Sequence, residues 1–287
     1  MSQGEKLNIG EMMFHHTGDS HELDFEPLGK IHLPQWDPIQ IGSLSLDLSP
    51  TKYVVFMILA AVIVYTVMRV AAVGVRRAER EGTPPKGFAS AVEVLVLYVR
   101  QELAISSIGR EMGPVYAPLI MTFFFFILTC NLLGLVPWGG SPTGNLAVTG
   151  ALALISFAAI EIGGMRKLGF KGYMGTIFLH VDGLGKVGAT VLMLFMAPIE
   201  ILSKFIKPFA LTVRLFGNIT AGHFVILAMF GVVFMFGHLG MFSFGIGIVT
   251  AIVVFFVMLL ELLVAFLQAY LFAVLTAVFI GTMQHEH

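Results

Sequence analysis

Apolar residues in this chain come in blocks too long for the core of a soluble domain, separated by short stretches where charge and glycine collect. The first block runs from Tyr53 to about Val75, long enough as a helix to cross roughly 30 Å of hydrocarbon. Arg76, Arg77, Arg80 and Lys86 follow it, and Gly82-Thr83-Pro84-Pro85 breaks the chain. Residues 88–109 set Ala91, Val92, Leu95, Val99 and Leu103 against Glu93, Arg100, Gln101 and Glu102. That pattern is too polar to span and predicts an amphipathic helix lying on a membrane face. Gly113-Pro114 opens a second span, about Val115 to Val136, and a third covers about Leu146 to Gly164. The Phe123–Phe126 run reads as packing, the uncharged stretch from Pro137 to Gly144 as a connector, and residues 169–186, with His180-Val181-Asp182, as a glycine-rich loop.

From Val187 onward the pattern changes. Two apolar stretches remain, 187–235 and 243–283, separated by Gly237-His238-Leu239-Gly240. Each exceeds the ~20 residues of an upright crossing, so strong tilt is expected, and the short separator predicts a hairpin. The fold class that follows is an all-α polytopic membrane protein with five crossings and one amphipathic surface helix, the last two helices being long and strongly tilted. Four segments result: an external polar N-terminal segment, 1–49; the first span and the surface helix, 50–111; the second and third spans with a loop, 112–186; and the hairpin, 187–287.

Composition agrees. Of 287 residues, 57% are hydrophobic and 12% charged, with a mean hydropathy of +0.88, which excludes an ordinary soluble domain. Residues 1–49 are acidic, with Glu5, Glu11, Asp19, Glu22, Asp24, Glu26, Asp37 and Asp47 against Lys6 and Lys30. Basic residues instead follow the first span and, as Arg166, Lys167 and Lys171, the third. The positive-inside rule then puts the N-terminus outside and the C-terminus in the cytoplasm. Met1 to Gly10 lacks the basic-then-apolar order of a signal peptide, so the first span is expected to direct insertion. The lone Cys130 lies in an apolar run and reads as a small buried hydrophobe. His15, His16, His21 and His32 have no regular ligand spacing, and His21-Glu22 lacks the second histidine of a zinc protease, residue 25 being Phe. Neither a metal nor a cofactor is expected.

One charge stands against this background. Arg214 lies in an apolar run that extends past Phe236, where a cation costs roughly 3 to 15 kcal/mol depending on the reference state. A guanidinium cannot escape that cost by losing its proton. At 3.6 residues per turn, Ala210, Arg214, Gly217 and Ala221 form one stripe of small residues around the charge, flanked by Asn218 and Gly222, with His223 further round. Lys204 and Lys207 occupy the expected interface, which leaves Arg214 two to three turns deeper than a snorkelling side chain. Glu200, Ser203 and Lys207, three and four apart, make a polar face on its cytoplasmic side. Glu161, near the end of the third span, reads as an interfacial acid.

On the second arm Glu261 and Gln268 are seven apart and share a face. Ala265, Ala269, Ala273 and Ala277 recur every fourth residue, which permits close contact either inside the hairpin or with a partner. With the turn near residue 239, His223 and Glu261 reach depths that agree within roughly one or two helical turns. An imidazole beside a carboxyl group inside a membrane suits a proton relay; a structural ion pair is the plainer alternative.

Arg214-Leu215-Phe216-Gly217-Asn218 followed by Ala221-Gly222, with Ser203, Lys207 and Pro208 before it and Leu267-Gln268-Ala269 on the next helix, resembles subunit a of the F-type ATP synthase membrane sector. The likeness extends over nearly the whole chain, from His15-His16 through Asn131-Leu132-Leu133-Gly134-Leu135-Val136-Pro137. It implies a non-catalytic stator that offers two aqueous half-channels to a rotating ring of c subunits, in a bacterial cytoplasmic (inner) membrane, with peripheral-stalk b subunits as further partners and no nucleic acid. Arg214 would be the essential arginine; Asn218, His223, Glu261 and Gln268 would serve proton translocation, with Glu200 and Ser203 near the cytoplasmic half-channel. His223 and Glu261 match a Glu and a His that exchange places among members. Asn145 departs from the pattern, since some relatives have an acid there, close to the external mouth. Two other classes fit less well. A secondary transporter would show repeats with broken helices, and the first half has no second segment like that around Arg214. An intramembrane enzyme would need a His-Glu-x-x-His or Gly-x-Ser-x-Gly motif, and neither occurs.

Overall fold

A computed structural model of the chain describes residues 18–24, 29–42, 44–136, 139–178, 186–236 and 241–285. Six long or medium helices follow one another: α1 (Lys52–Glu81), α2 (Phe88–Tyr98), α3 (Gly113–Leu135), α4 (Leu146–Ile177), α5 (Lys186–Phe236) and α6 (Met241–His285). All but α2 are long and apolar enough to cross a membrane. The chain is an all-α polytopic membrane protein. The α2 helix continues through a π-helical stretch, Val99–Ile105, into a last turn, Ser106–Ile108. Ahead of α1 the sequence reading had no strands. Here the structure adds two small antiparallel pairs, β1 (Glu22–Asp24) with β2 (Lys30–His32) and β3 (Ile39–Ile41) with β4 (Leu44–Leu46). Gly42, at φ 64°, provides the left-handed residue that the tight β3–β4 turn requires.

The chain forms two compact units. The first is drawn from Met1–Ile63, Leu128–Asn145 and Leu215–Leu267. Its centre is a buried amide, Asn131, whose Nδ2 donates to the Ala265 carbonyl (3.0 Å) and whose Oδ1 accepts from Thr143 Oγ1 (2.6 Å). Ser141 Oγ lies 2.7 Å from Thr143 Oγ1 and completes the chain of bonds. A buried polar group costs little only when paired, so this network fixes the connector after α3 against both α3 and α6. The N-terminal segment is tied to the same unit, since Lys52 N donates to the Ser20 carbonyl (2.8 Å) and Asn145 Nδ2 to Asp19 Oδ2 (3.2 Å).

The second unit is drawn from Val64–Ile127, Leu146–Arg214 and Gln268–His287. Val99, Leu103, Ala104 and Ile108 are buried, so the latter part of the surface helix packs inward, whereas Phe88–Tyr98 buries no residue and Ala91, expected on the apolar face, is exposed. Gly281 allows the end of α6 to press onto it, because a Cβ there would overlap the Ser107 carbonyl. Ser156 Oγ and Thr276 Oγ1 pair at 2.8 Å, and Phe123 meets Phe272 edge to face at 5.2 Å. Hydrogen bonds between membrane helices average about 0.6 kcal/mol, so close packing rather than the hydroxyl pair dominates this contact. The alanine row supplies that packing: Ala269, Ala273 and Ala277 are fully buried here, and Ala265 is buried in the first unit. The alanines are thus covered within the chain, in a part of α6 whose neighbours include Phe123, Ser156 and Ser107.

One expectation about the helices changes. Residues 170–177, read as loop, are helical, because α4 breaks at Gly169 (φ 69°, ψ 167°) and resumes instead of ending. His180-Val181-Asp182 and the Gly237–Gly240 turn lie outside the described residues. At 51 and 45 residues, α5 and α6 would measure about 76 and 68 Å if straight, well beyond an upright crossing. Pro198 and Pro208 interrupt the hydrogen bonding of α5. Thr212 Oγ1 bonds back to the Pro208 carbonyl (2.9 Å), one turn before Arg214.

Candidate proton-path site

His223 and Glu261 meet. Nδ1 of His223 lies 3.0 Å from Glu261 Oε1, with the histidine side chain 26% exposed and the glutamate 6%. This bond joins α5 to α6. Glu261 Oε2 is buried with no hydrogen-bond partner among the described residues. Two glycines clear the space. A Cβ on Gly222 would overlap the Glu261 carboxyl group, and one on Gly134 would come within 3.2 Å of the His223 ring and 2.6 Å of Ser141 Cβ. His223 also lines a cavity of about 200 Å³, together with Tyr53, Ser141 and Thr220. Chemically, an imidazole with one nitrogen on a carboxyl group and its ring against a cavity can take a proton on one side and deliver it on the other.

Arg214 is exposed, and so are Ala210, Asn218 and Ala221 along the same stripe of α5. A Cβ built on Gly217 meets nothing within 4 Å. Among the described residues Arg214 makes no ion pair or hydrogen bond. The cation therefore points out of the chain, from a surface of small residues, along a helix whose other exposed positions include Phe205, Phe209, Val213 and Val225.

A family model described as ATP synthase A chain matches residues 54–281. The chain belongs to the ATP synthase A chain family. Similar proteins include ATP synthase subunit a of Chloroherpeton thalassium, 42% identical over 236 residues that cover 81% of this chain and 64% of the relative. ATP synthase subunit a of Myxococcus xanthus is 41% identical over 243 residues, 77% of each. ATP synthase subunit a 2 of Chlorobaculum tepidum is 38% identical over 226 residues, 79% of this chain and 60% of the relative. The chain thus spans less than two thirds of the length of the first and third of these relatives.

Seven residues were singled out on this member of the ATP synthase A chain family from sequence, and the structure joins two of them, His223 and Glu261. Gln268 is buried at 4% exposure, Glu200 and Ser203 are half-buried, and Asn218 is exposed. Among the described residues these four, like Arg214, make no hydrogen bond or ion pair.

Sequence reasoning missed a second charged cluster. Lys204 Nζ lies 3.5 Å from Glu161 Oε2 and 3.1 Å from Tyr173 Oη, and the Tyr173 hydroxyl also donates to Glu161 Oε2. The ammonium sits 4.2 Å from the centre of the Tyr173 ring. Glu161 and Lys204 are thus not free, solvated charges. They form a buried pair, with side chains 13% and 8% exposed, because the helix beyond Gly169 carries Tyr173 back over them. Nothing in the spacing of residues 161, 173 and 204 could have paired them; only their complementary charge was visible. Lys207, placed by sequence on the face of Glu200 and Ser203, lies 5.1 Å over the Phe279 ring.

Proposed function

We propose that the chain is the stator channel subunit of an F-type ATP synthase, holding two offset half-channels against a ring of c subunits and coupling proton flow to ring rotation and ATP synthesis. The observation that carries the reading is the exposed Arg214, which has no anionic partner among the described residues, on a stripe of small residues in an apolar helix. A cation in that position requires an anion from outside the chain, and a ring carboxylate supplies one. Membership in the ATP synthase A chain family supports the same assignment.

The mechanism follows from electrostatics. A ring carboxyl group crosses lipid as the neutral acid, because the ionised form would bear the desolvation cost. Beside Arg214 its ionised form is stabilised, and the proton leaves through a cytoplasmic half-channel bordered by Glu200 and Ser203. On the other side of Arg214 it is reprotonated from outside through Glu261, His223, Asn218 and Gln268. The guanidinium also repels a proton moving directly between the half-channels, which blocks a leak. An electrical driving force of roughly 2.3 kcal/mol per charge per 100 mV is comparable with one or two pKa units, so Arg214 must attract the carboxylate without locking it. The chain itself carries no nucleotide chemistry. It sits in a bacterial cytoplasmic membrane with its N-terminus outside and C-terminus inside, beside peripheral-stalk b subunits.

The test is ATP-driven proton pumping in inverted vesicles, native against Arg214→Ala, in the assembled complex. Loss of pumping with assembly intact supports the assignment. Normal pumping overturns it. Protons are the coupling ion on this reading, so pumping at fixed pH is expected to be unaffected by Na⁺.

A further inference from the structure

Between Lys30 and Lys52 the chain holds neither lysine nor arginine, and over 39–41 and 44–48 leucine or isoleucine recurs at every second position. The register of β3 with β4 sets position 39 opposite 46, 41 opposite 44 and 40 opposite 45. Positions alternate between the faces of a strand and cross-strand partners share a face, so the isoleucine and leucine positions make up one face of this hairpin and Gln40 and Ser45 the other. Gln40 and Ser45 are exposed. Ile39, on the aliphatic face, is more than half exposed as well, and so are Trp36 and Leu48 on either side of the hairpin. A two-stranded hairpin is marginal by itself in water. This one is held in place from behind. The Trp36 N–H donates to Ser49 Oγ at 2.9 Å, and the same hydroxyl reaches the Trp36 carbonyl at 3.4 Å. His21 Nδ1 lies 3.3 Å from the Pro50 carbonyl, and the Lys52 N–H donates to the Ser20 carbonyl. The segment from Trp36 to Ser49 is therefore closed on itself just before Lys52, the first residue of α1, no more than about 10 Å of chain from the point where the apolar span opens.

We propose that the β3–β4 hairpin, with Trp36 and Leu48, is a lipid-docking platform that lies on the bilayer at the face where α1 enters, its aliphatic side in the boundary between headgroups and acyl chains. The proposal requires only that α1 cross a membrane and does not depend on the stator-channel reading. A second copy or another subunit could cover an aliphatic face too, but the hairpin is tied to the start of a membrane-crossing helix, so the plane of lipid that surrounds this start continues beneath it. An indole suits that boundary, with an apolar body and a polar N–H. Asp37 and Asp47, both exposed and next in sequence to Trp36 and Leu48, limit the depth, because a carboxylate is held among the headgroups by the cost of entering hydrocarbon. With no basic residue from 31 to 51, apolar area drives the contact and attraction to anionic lipid does not. Docked in this way, the segment ahead of α1 fixes how far that helix can slide along the bilayer normal.

The experiment reads the depth of Trp36. The full chain carrying Trp138→Phe, which leaves Trp36 as its one tryptophan, is reconstituted into phosphatidylcholine vesicles. Lipids brominated near the carbonyl end of the acyl chain are expected to quench its emission more than lipids brominated near the methyl end, and aqueous iodide only weakly. Added phosphatidylglycerol or raised salt should change neither result. Ile39→Glu, which puts a charge on the aliphatic face, should lower the lipid quenching by about 2-fold or more, whereas Gln40→Glu on the other face should not. Quenching by iodide and not by lipid overturns the proposal, since the hairpin then stands in water. Quenching by neither overturns it too, since protein then covers the face. A second measurement, in the assembled complex, leaves both tryptophans in place and compares Ile39→Cys with Gln40→Cys in their reaction with a water-soluble maleimide. A thiol in apolar surroundings resists ionisation, so position 39 is expected to react about 10-fold more slowly than position 40. Equal rates overturn the proposal.

Discussion

Gly222 on α5 faces Glu261 on α6 so closely that one methyl group at position 222 would land on the carboxyl group. The obstructed atoms belong to a movable side chain, so Gly222→Ala would swing Glu261 away and break its bond to His223 before it unfolded the hairpin. Overpacking of this kind costs about 1–3 kcal/mol. The expected result is an assembled complex with proton pumping reduced by about 10-fold or more. Shortening the acid with Glu261→Asp in the same background should recover part of the loss. Pumping assays alongside native gel electrophoresis check both points.

The His223–Glu261 bond makes a sharper test by exchange. Glu261→Gln keeps the shape and removes the titratable group, and His223→Ala removes the imidazole; each is expected to lower pumping by about 10-fold or more. The double exchange His223→Glu with Glu261→His keeps one acid and one base across the same helix pair, and should pump better than either single change. Pumping curves of the native complex and the three variants at one pH decide it.

Removing one half of the buried pair in the second unit should be costly. Lys204→Met leaves Glu161 buried opposite Tyr173 alone, and uncompensated buried charges destabilise by about 3–5 kcal/mol. Lys204→Met combined with Glu161→Leu removes both charges and should regain most of that stability. The thermal midpoint of the purified complex in detergent, measured for single and double variants, shows whether the recovery occurs.

Gly217 separates what the chain tolerates from what a partner tolerates. Its built Cβ meets nothing within 4 Å, so Gly217→Leu should leave membrane insertion and subunit level unchanged. In the assembled complex the same variant should block ATP-driven rotation, because the added side chain stands one turn from Arg214 on the exposed stripe. Unchanged rotation would remove this stripe from the rotor interface.

Asp47 gives a prediction in pH. Bonds from Ser49, including its backbone N–H at 2.8 Å, hold the carboxyl below its usual 3.8. A depressed folded value means that the stabilising contribution is complete above about pH 3.8 and is lost as pH falls through the lower folded value. Ser49 Oγ accepts from the Trp36 backbone N–H at 2.9 Å, so Trp36 emission should change over that acid range. In Asp47→Asn the transition should be absent.

The five apolar helices were legible because length and hydropathy alone determine them, and the hairpin because its separator is too short for any other path. His223 and Glu261 were paired in advance by counting residues from the turn. What escaped depends on direction. A glycine such as Gly169 reads equally as the start of a loop or as a bend between helices, and only the bend brings Tyr173 over Glu161. The β-strands near residues 22–46 are three residues each, too short for alternation to stand out. The bond between Asp19 and Asn145 joins residues 126 positions apart, a pairing that no local pattern carries.

The outward guanidinium of Arg214 bears on biogenesis as well. Alone in a bilayer, the subunit would expose a cation that costs at least about 3 kcal/mol, a bias of roughly 100-fold towards any arrangement that covers it. Newly inserted chains would then be least stable before they meet their neighbours, and orphan copies the first to be cleared by membrane proteases. On the stator-channel reading, the same charge would act beforehand as a checkpoint for stoichiometric assembly.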